Sequence, residues 1–444
     1  MSIEFDSKIE SYIQGFNEFK KSDGLNTDYI KQLRKTAINN FSELGFPTLR
    51  DEDWRFTNLA PISKSKFKIS ENGSEGVSSK NVEKFLFNKL DSYNLVFING
   101  KYSKDLSNLE NIQDKVKISS LSEAANSNNK IFSEYFGKFL NIDTEAFNAL
   151  NTAFFQDGLF VYVPKSTALD KPIHAIYISN SVDQTVLNPR NLIIAEDNSE
   201  LKIIEHYVSL SEFVYFSNVV SEIFIGENSN LEHYMLEFES KKSYNISTLR
   251  VEQKRNSNLN SHSVLLGGAL VRNNVHPVLN GEGCNSLING LYMSNDRQHM
   301  DNFMRVEHAS PHCDSRQFYS GVLDDKSRGV FHGRIIVHEG AEKTDAKQTN
   351  RNLLLSDTAQ IDTKPQLEIY NDDVKCTHGA TIGQMDDEAI FYLQSRGISR
   401  KNAQAIMLKG FTGESFASMS IEPVGSYLEK VTNDWFENRG SNNG

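Results

Sequence analysis

From Gly158 to about Ile382 the chain keeps one texture. Short runs rich in β-branched and aromatic residues alternate with polar turns. Leu159-Phe-Val-Tyr-Val163, Ile173-His-Ala-Ile-Tyr-Ile178, Asn191-Leu-Ile-Ile-Ala195, Leu201-Lys-Ile-Ile-Glu-His-Tyr-Val208 and Ser221-Glu-Ile-Phe-Ile225 are the first five runs. Across roughly 220 residues no helical period interrupts them. Part of the texture repeats. Glu196-Asp-Asn-Ser-Glu-Leu201 and Gly226-Glu-Asn-Ser-Asn-Leu231 lie 30 residues apart, and each precedes a run containing Glu-His-Tyr. Glu339-Gly-Ala-Glu-Lys-Thr344 and Ser356-Asp-Thr-Ala-Gln-Ile361 are looser echoes. One such unit cannot bury its own apolar face, but stacked units share a continuous core, which predicts a parallel β-solenoid. A large sandwich or barrel fits the same strand pattern, and patterning alone leaves both open.

The flanks read differently. Ile9, Tyr12, Ile13 and Phe16 fit one helical face, and Ile30, Leu33, Ala37, Ile38 and Phe41 another, closed by Gly45 and stopped at Pro47. Residues 70–82 read as a polar loop, and 83–150 as a mixture with a strand at Leu95–Ile98 and a helical piece at Ile131–Leu140. After the β region, Asp386 can cap a helix with Asp387 and Glu388 in its first turn. Gly397 ends that helix and Ser399 starts the next, whose apolar side carries Ala403, Ile406, Met407 and Leu408. Val424–Phe436 reads as a third helix. The expected organisation is a mainly helical or mixed region at 1–157, a β core at 158–383, a helical domain at 384–437 and a disordered tail at 438–444. The hairpin has two readings: it caps the end of the β region, or it offers one face to a partner.

Composition narrows the function. A net charge of −11 argues against a nucleic-acid surface. The start lacks a secretory pattern, and no apolar run reaches the roughly 18 residues of a membrane span. Three scattered cysteines form no disulfide framework. The expectation is a soluble cytoplasmic protein. No phosphate-binding glycine motif, zinc-type cysteine pair or nucleophile elbow occurs, so no catalytic constellation is visible. The remaining chemistry is a scatter of thiols and imidazoles: His308, His312 and Cys313; His332 and His338; Cys376 and His378; and Cys284 in a turn. Cys376 and His378 stand out. Two residues apart on a strand, they share a face, and thiolate with imidazole suits iron, zinc or copper. Two ligands do not complete a site, so a partner chain would supply the rest. Val374 on that face points instead to a buried structural row.

The run from Asp362-Thr-Lys-Pro-Gln through Asp373-Val-Lys-Cys-Thr-His-Gly-Ala-Thr-Ile-Gly383 to Ile398 resembles the C-terminal signature of the SufB/SufD family of iron–sulfur cluster assembly proteins. Gly45–Thr57, Asp157–Ile173 and Asn188–Ala195 agree with it. The resemblance is to the SufD branch, because SufB chains carry more cysteines and read Glu-His-Glu-Ala-Thr where this chain reads Cys-Thr-His-Gly-Ala-Thr. It implies a right-handed parallel β-helix between helical regions. It implies a non-catalytic scaffold in a SufBCD-type complex, pairing with SufB through the β-helix and with the ATPase SufC through the C-terminal helices. It places His378, with Cys376 beside it, at the SufB interface, where iron or a cluster is held transiently and no cofactor is held by this chain alone. SufC docking maps onto the region of Asp387, Glu388, Phe391, Tyr392, Arg396, Ile406, Met407 and Phe411. A homodimer is expected for the isolated chain. The alternatives are a structural homodimer with inert Cys and His, or a β-helix polysaccharide hydrolase or lyase, which the acidic balance disfavours.

Overall fold

The computed structural model describes residues 12–20, 24–25, 27–69, 76–127, 130–180 and 184–439. Its core is a parallel β-solenoid of about seven turns, with helical regions before and after. Two sheets face each other, and consecutive strands alternate between them. Asn230–Phe238, for example, lies between Glu200–Ser209 and Asn258–Leu265, parallel to both. Equivalent strand starts fall at Glu200, Asn230, Asn258, Asn285, Asp314, Asp345 and Lys375, a coil of 27 to 31 residues. The sequence repeat of 30 is this coil. The expected strands at 159–163, 173–178, 191–195 and 201–208 are present within a residue at each end.

The Asn-Ser turns explain how the coils stack. Asn198, Asn228, Asn256, Gly283, His312 and Lys343 occupy one corner on successive coils, all with φ between 54° and 72°. Asparagine and glycine adopt this left-handed conformation with little penalty. Each turns its backbone N–H toward the next coil, as Asn198 does to Glu227 O (2.8 Å) and Asn228 to Arg255 O (2.9 Å). Between the sheets, apolar side chains from Leu201, Ile203, Ile223, Ile225, Leu259, Ile288, Met304 and Phe331 form one continuous core.

The helical regions cover the outer faces. N-terminal Phe41, Phe46, Phe147 and Phe154 pack on Phe216, Ile246 and Leu270 of one sheet. The Gly45–Thr57 segment anchors there: the Arg272 guanidinium stacks 3.9 Å from the Trp54 ring, and Thr57 Oγ1 donates to Asp301 (2.5 Å). The helices Asp387–Ser395, Arg400–Gly413 and Glu422–Glu437 lie on the other sheet, where Leu408, Phe416, Val424 and Leu428 meet Tyr234, Val264, Leu291 and Val322. They run along the outer face and do not close the solenoid's end.

Three expectations need adjustment. The 70–82 loop contains a helix, Ser79–Glu83, which Ser78 and Asn81 start with a reciprocal capping box; residues 70–75 lie outside the described residues. Both sheets begin before residue 158, because Tyr93–Ile98 pairs with Ile173–Ser179 and Lys117–Ser120 with Leu159–Val163. Of the expected tail, Asn438 caps the last helix and Arg439 pairs with Asp324 at 3.0 Å, while 440–444 lie outside the described residues, as does Ile9 of the first helical face.

Candidate functional site: an open solenoid end

Among the described residues, the last two strands have a neighbour on one side only. Gln360–Ile369 pairs with Arg328–Val337, and Lys375–Gln384 pairs with Asp345–Leu354. Their outer edges present a row of strand N–H and C=O groups, the usual template for pairing with another chain.

Register explains what these strands expose. Cys376, His378, Ala380 and Ile382 stand beside Ala346, Gln348, Asn350 and Asn352. All four of the latter point inward and are buried. Cys376 and His378 therefore continue an interior row onto a coil on which none of the described residues stacks. On the other sheet Thr363, Leu367 and Ile369 continue the row of Phe331, Ile335 and Val337. Ile382 is 52% exposed and Ile369 40%. What a solenoid normally hides is here an outward-facing surface: apolar residues, one thiol and one imidazole.

The two motif residues differ. Cys376 is half-buried, packed with Leu367 and Val374 on Ile335, Val337, Ala341 and Ala346. Burial pushes its thiol above the usual range, so it stays protonated. Val374 does lie on that structural row, and Cys376 partly belongs to it. His378 is exposed. Next to it in register, Gln348 donates through Nε2 to Gln317 Oε1 (3.0 Å), and its own Oε1 has no partner among the described residues. The last closed layer thus offers an unused acceptor beside the histidine.

The histidines of the other groups are dispersed. His308 is buried with Nε2 2.8 Å from Ser315 Oγ, His332 is buried with Nε2 3.3 Å from Gln366 Oε1, and exposed His338 faces Glu307 at 3.3 Å. Among the described residues no three His, Cys, Asp or Glu side chains converge as a metal site. No described helix is long and apolar enough to cross a membrane.

The C-terminal hairpin splits into two faces. Asp386 and Ser399 cap its helices through side-chain acceptors, as expected. Ile390, Ala403 and Leu408 are buried. Phe391 (73% exposed), Tyr392 and Ile406 point to solvent. Arg396 stacks on the Tyr392 ring, and Asp387 pairs with Arg400 at 2.9 Å. Glu388 is exposed and Met407 half-buried. Phe411 packs toward the solenoid beneath Arg351 and is not part of the exposed set. Sequence reading missed Ile369 and Ile382. Their alternation was visible, but nothing local marks the coil after which stacking stops.

Two family models together match most of the chain. The family model described as SUF system FeS cluster assembly, SufBD core domain, matches residues 177–411, and that of the SufBD protein N-terminal region matches 6–175. The chain is 35% identical over 389 residues to an iron–sulfur cluster assembly protein SufD of Escherichia coli, covering 87% of this chain and 86% of the relative. It is 32% identical over 418 residues to a SufBD family protein of Synechocystis, with 92% and 91% covered. A SufD of Bacillus subtilis is 26% identical over 440 residues, with 95% and 96% covered.

Proposed function

Because this chain belongs to the SufBD family of iron–sulfur cluster assembly proteins, we propose that it is a non-catalytic scaffold subunit of a SufBCD-type complex. Its partner solenoid, SufB, seats on the open end. The observation that carries this reading is the inward row of Cys376, His378 and Ile382 left uncovered on the last coil. Strand edges and apolar rows that end in water are an interface in waiting, and a second solenoid with matching rows is the simplest cover.

In that seat His378 would contribute an imidazole to iron or a nascent cluster, both of them cargo rather than resident groups. The other ligands come from the partner. Closure excludes water and oxidant from the same volume. Cys376, protonated and half-buried, is the weaker ligand and mainly shapes the floor. SufC would dock on the exposed hairpin face around Phe391, Tyr392 and Ile406. Without a partner the same end would pair with a second copy.

His378→Ala tests the ligand role. Co-expressed with SufB and SufC and purified without oxygen, the variant complex should keep its subunits and lose most of its iron and sulfide. Wild-type iron and sulfide content would overturn the role given to His378.

A further inference from the structure

Cys284 and Cys313 share one corner of the solenoid on successive coils. Each directly follows the left-handed residue of its corner, Gly283 and His312. On the neighbouring coils that position holds Ser199, Ser229, Ser257 and Thr344. The hydroxyls of this column tie the corner to its carbonyls, as Ser229 Oγ does to Glu196 O (2.7 Å) and Thr344 Oγ1 to Ala341 O (2.9 Å). The thiols do the same job. Cys284 Sγ lies 3.0 Å from both Lys254 O and Gly281 O, and Cys313 Sγ lies 3.2 Å from the same Gly281 O. Both sulfurs thus converge on one carbonyl oxygen. Asp314 N donates to Cys284 O (2.9 Å), so the two residues are strand neighbours. Strand neighbours stand about 4.8 Å apart, inside the roughly 4.4–6.8 Å between Cα atoms that a disulfide spans. A hydroxyl would satisfy the corner equally well. Two adjacent thiols add redox chemistry that none of the other coils has.

We propose that Cys284 and Cys313 form a dithiol–disulfide site that is oxidised by hydrogen peroxide and bonds two successive coils. The Cys284 sulfur attacks one peroxide oxygen. An S–O bond forms, the O–O bond breaks, and the departing hydroxide leaves as water with the thiol proton. The Cys313 sulfur then attacks the sulfenic sulfur. The S–S bond forms, the S–O bond breaks, and the hydroxide leaves as a second water with the Cys313 proton. Two thiols lose two electrons and one peroxide becomes two waters. Cys284 is written as the first nucleophile, its thiol brought down by the neighbouring Cys313 thiol and the Ser257 hydroxyl; the same balance holds with the two sulfurs exchanged. The same sulfur neighbour, together with burial, pushes Cys313 up. Both thiols are buried at the edge of the core, against the turn Asn280–Gly283, whose Glu282 is exposed. Local opening of that turn admits so small an oxidant.

The test uses the full chain, treated with hydrogen peroxide, unfolded, alkylated and weighed intact. The expected product is about 2 Da lighter before alkylation, the mass of two hydrogens, and takes alkyl only at Cys376. Its tryptic map should show Asn273–Arg297 joined to Val306–Arg316 by a reducible link. Cys284→Ser and Cys313→Ser keep a corner hydroxyl and should each abolish the link, while Cys376→Ser leaves it. Full alkylation of all three thiols after oxidation would overturn the proposal. So would a link that persists in Cys284→Ser, or conversion of Cys284 to sulfinic acid without joining Cys313.

Discussion

Consider replacing Ile369 and Ile382 by aspartate together. In the isolated chain each isoleucine is already about half in water, at 40% and 52% exposure. A fully buried isoleucine contributes about 2 kcal/mol, so roughly 1 kcal/mol of each side chain's burial is in hand and roughly 1 kcal/mol remains to be gained under a partner. The double variant should therefore fold, with a loss of about 2 kcal/mol confined to the last coil. Pairing suffers more. It forfeits about 1 kcal/mol at each position and must also desolvate two carboxylates without partners, at about 1 kcal/mol or more each. A sum of about 4 kcal/mol weakens association roughly a thousandfold. Calorimetric titration against SufB, with far-ultraviolet circular dichroism as the folding control, measures this. Light scattering of the isolated chain should show any homodimer lost in parallel. Phe391→Asp is the matched control: its ring is exposed on the helical hairpin and not on a strand, and the change should leave SufB pairing intact while weakening SufC docking. Pairing within threefold of wild type by the folded double variant would refute the reading of the open end.

Other outcomes follow from the interior. A Cβ at Gly290 would stand 2.0 Å from Cε1 of Tyr319, whose hydroxyl is bonded to Ser263 Oγ at 3.0 Å. Gly290→Ala should lose about 2–4 kcal/mol in urea denaturation, and Tyr319→Val should relieve part of that loss; full additivity would argue against the clash. Arg190→Leu leaves Glu222, now 2.5 Å away and fully buried, without its cation. The expected loss is about 3–5 kcal/mol, partly recovered by adding Glu222→Gln, as thermal melts would show. His308 is held neutral, brought down to about 4 by burial and by the nearby Arg316. The unfolded chain takes up this proton from about pH 6.5 downward, the ordinary histidine value, whereas the folded chain waits until about 4. Stability therefore falls as pH drops through that window, by about 3 kcal/mol from this group. His308→Gln should flatten the melting temperature between pH 7 and 5; an unchanged slope would count against it.

Much of the fold could be read from local chemistry. The Asn-Ser turns announce left-handed corners, and the spacing of Asn198 and Asn228 is the coil length itself. Asp386 and Ser399 mark helix starts because a short acceptor before an amphipathic run has few other uses. Long-range placement was not readable. Leu95–Ile98 was recognisable as a strand, but its partner Ile173–Ser179 lies far along the chain. The helical hairpin has an apolar side, yet nothing local says that it lies along the outer sheet and leaves Phe391 and Ile406 bare. At the site, the spacing of Cys376 and His378 gave their common face. That this face points out of an unfinished core depends on where stacking ends, which no single coil encodes.

The open end has a thermodynamic consequence. In a stack whose units touch only their neighbours, an inner coil is held by two interfaces and the last by one. The coil carrying Cys376 and His378 is thus the first to fray, and its amides should exchange fastest among the β strands. A seated partner supplies the missing second interface. Under the proposed role, ligand geometry, local folding and complex formation would become one linked equilibrium, and an imidazole on this strand would be held rigid only while the partner is seated.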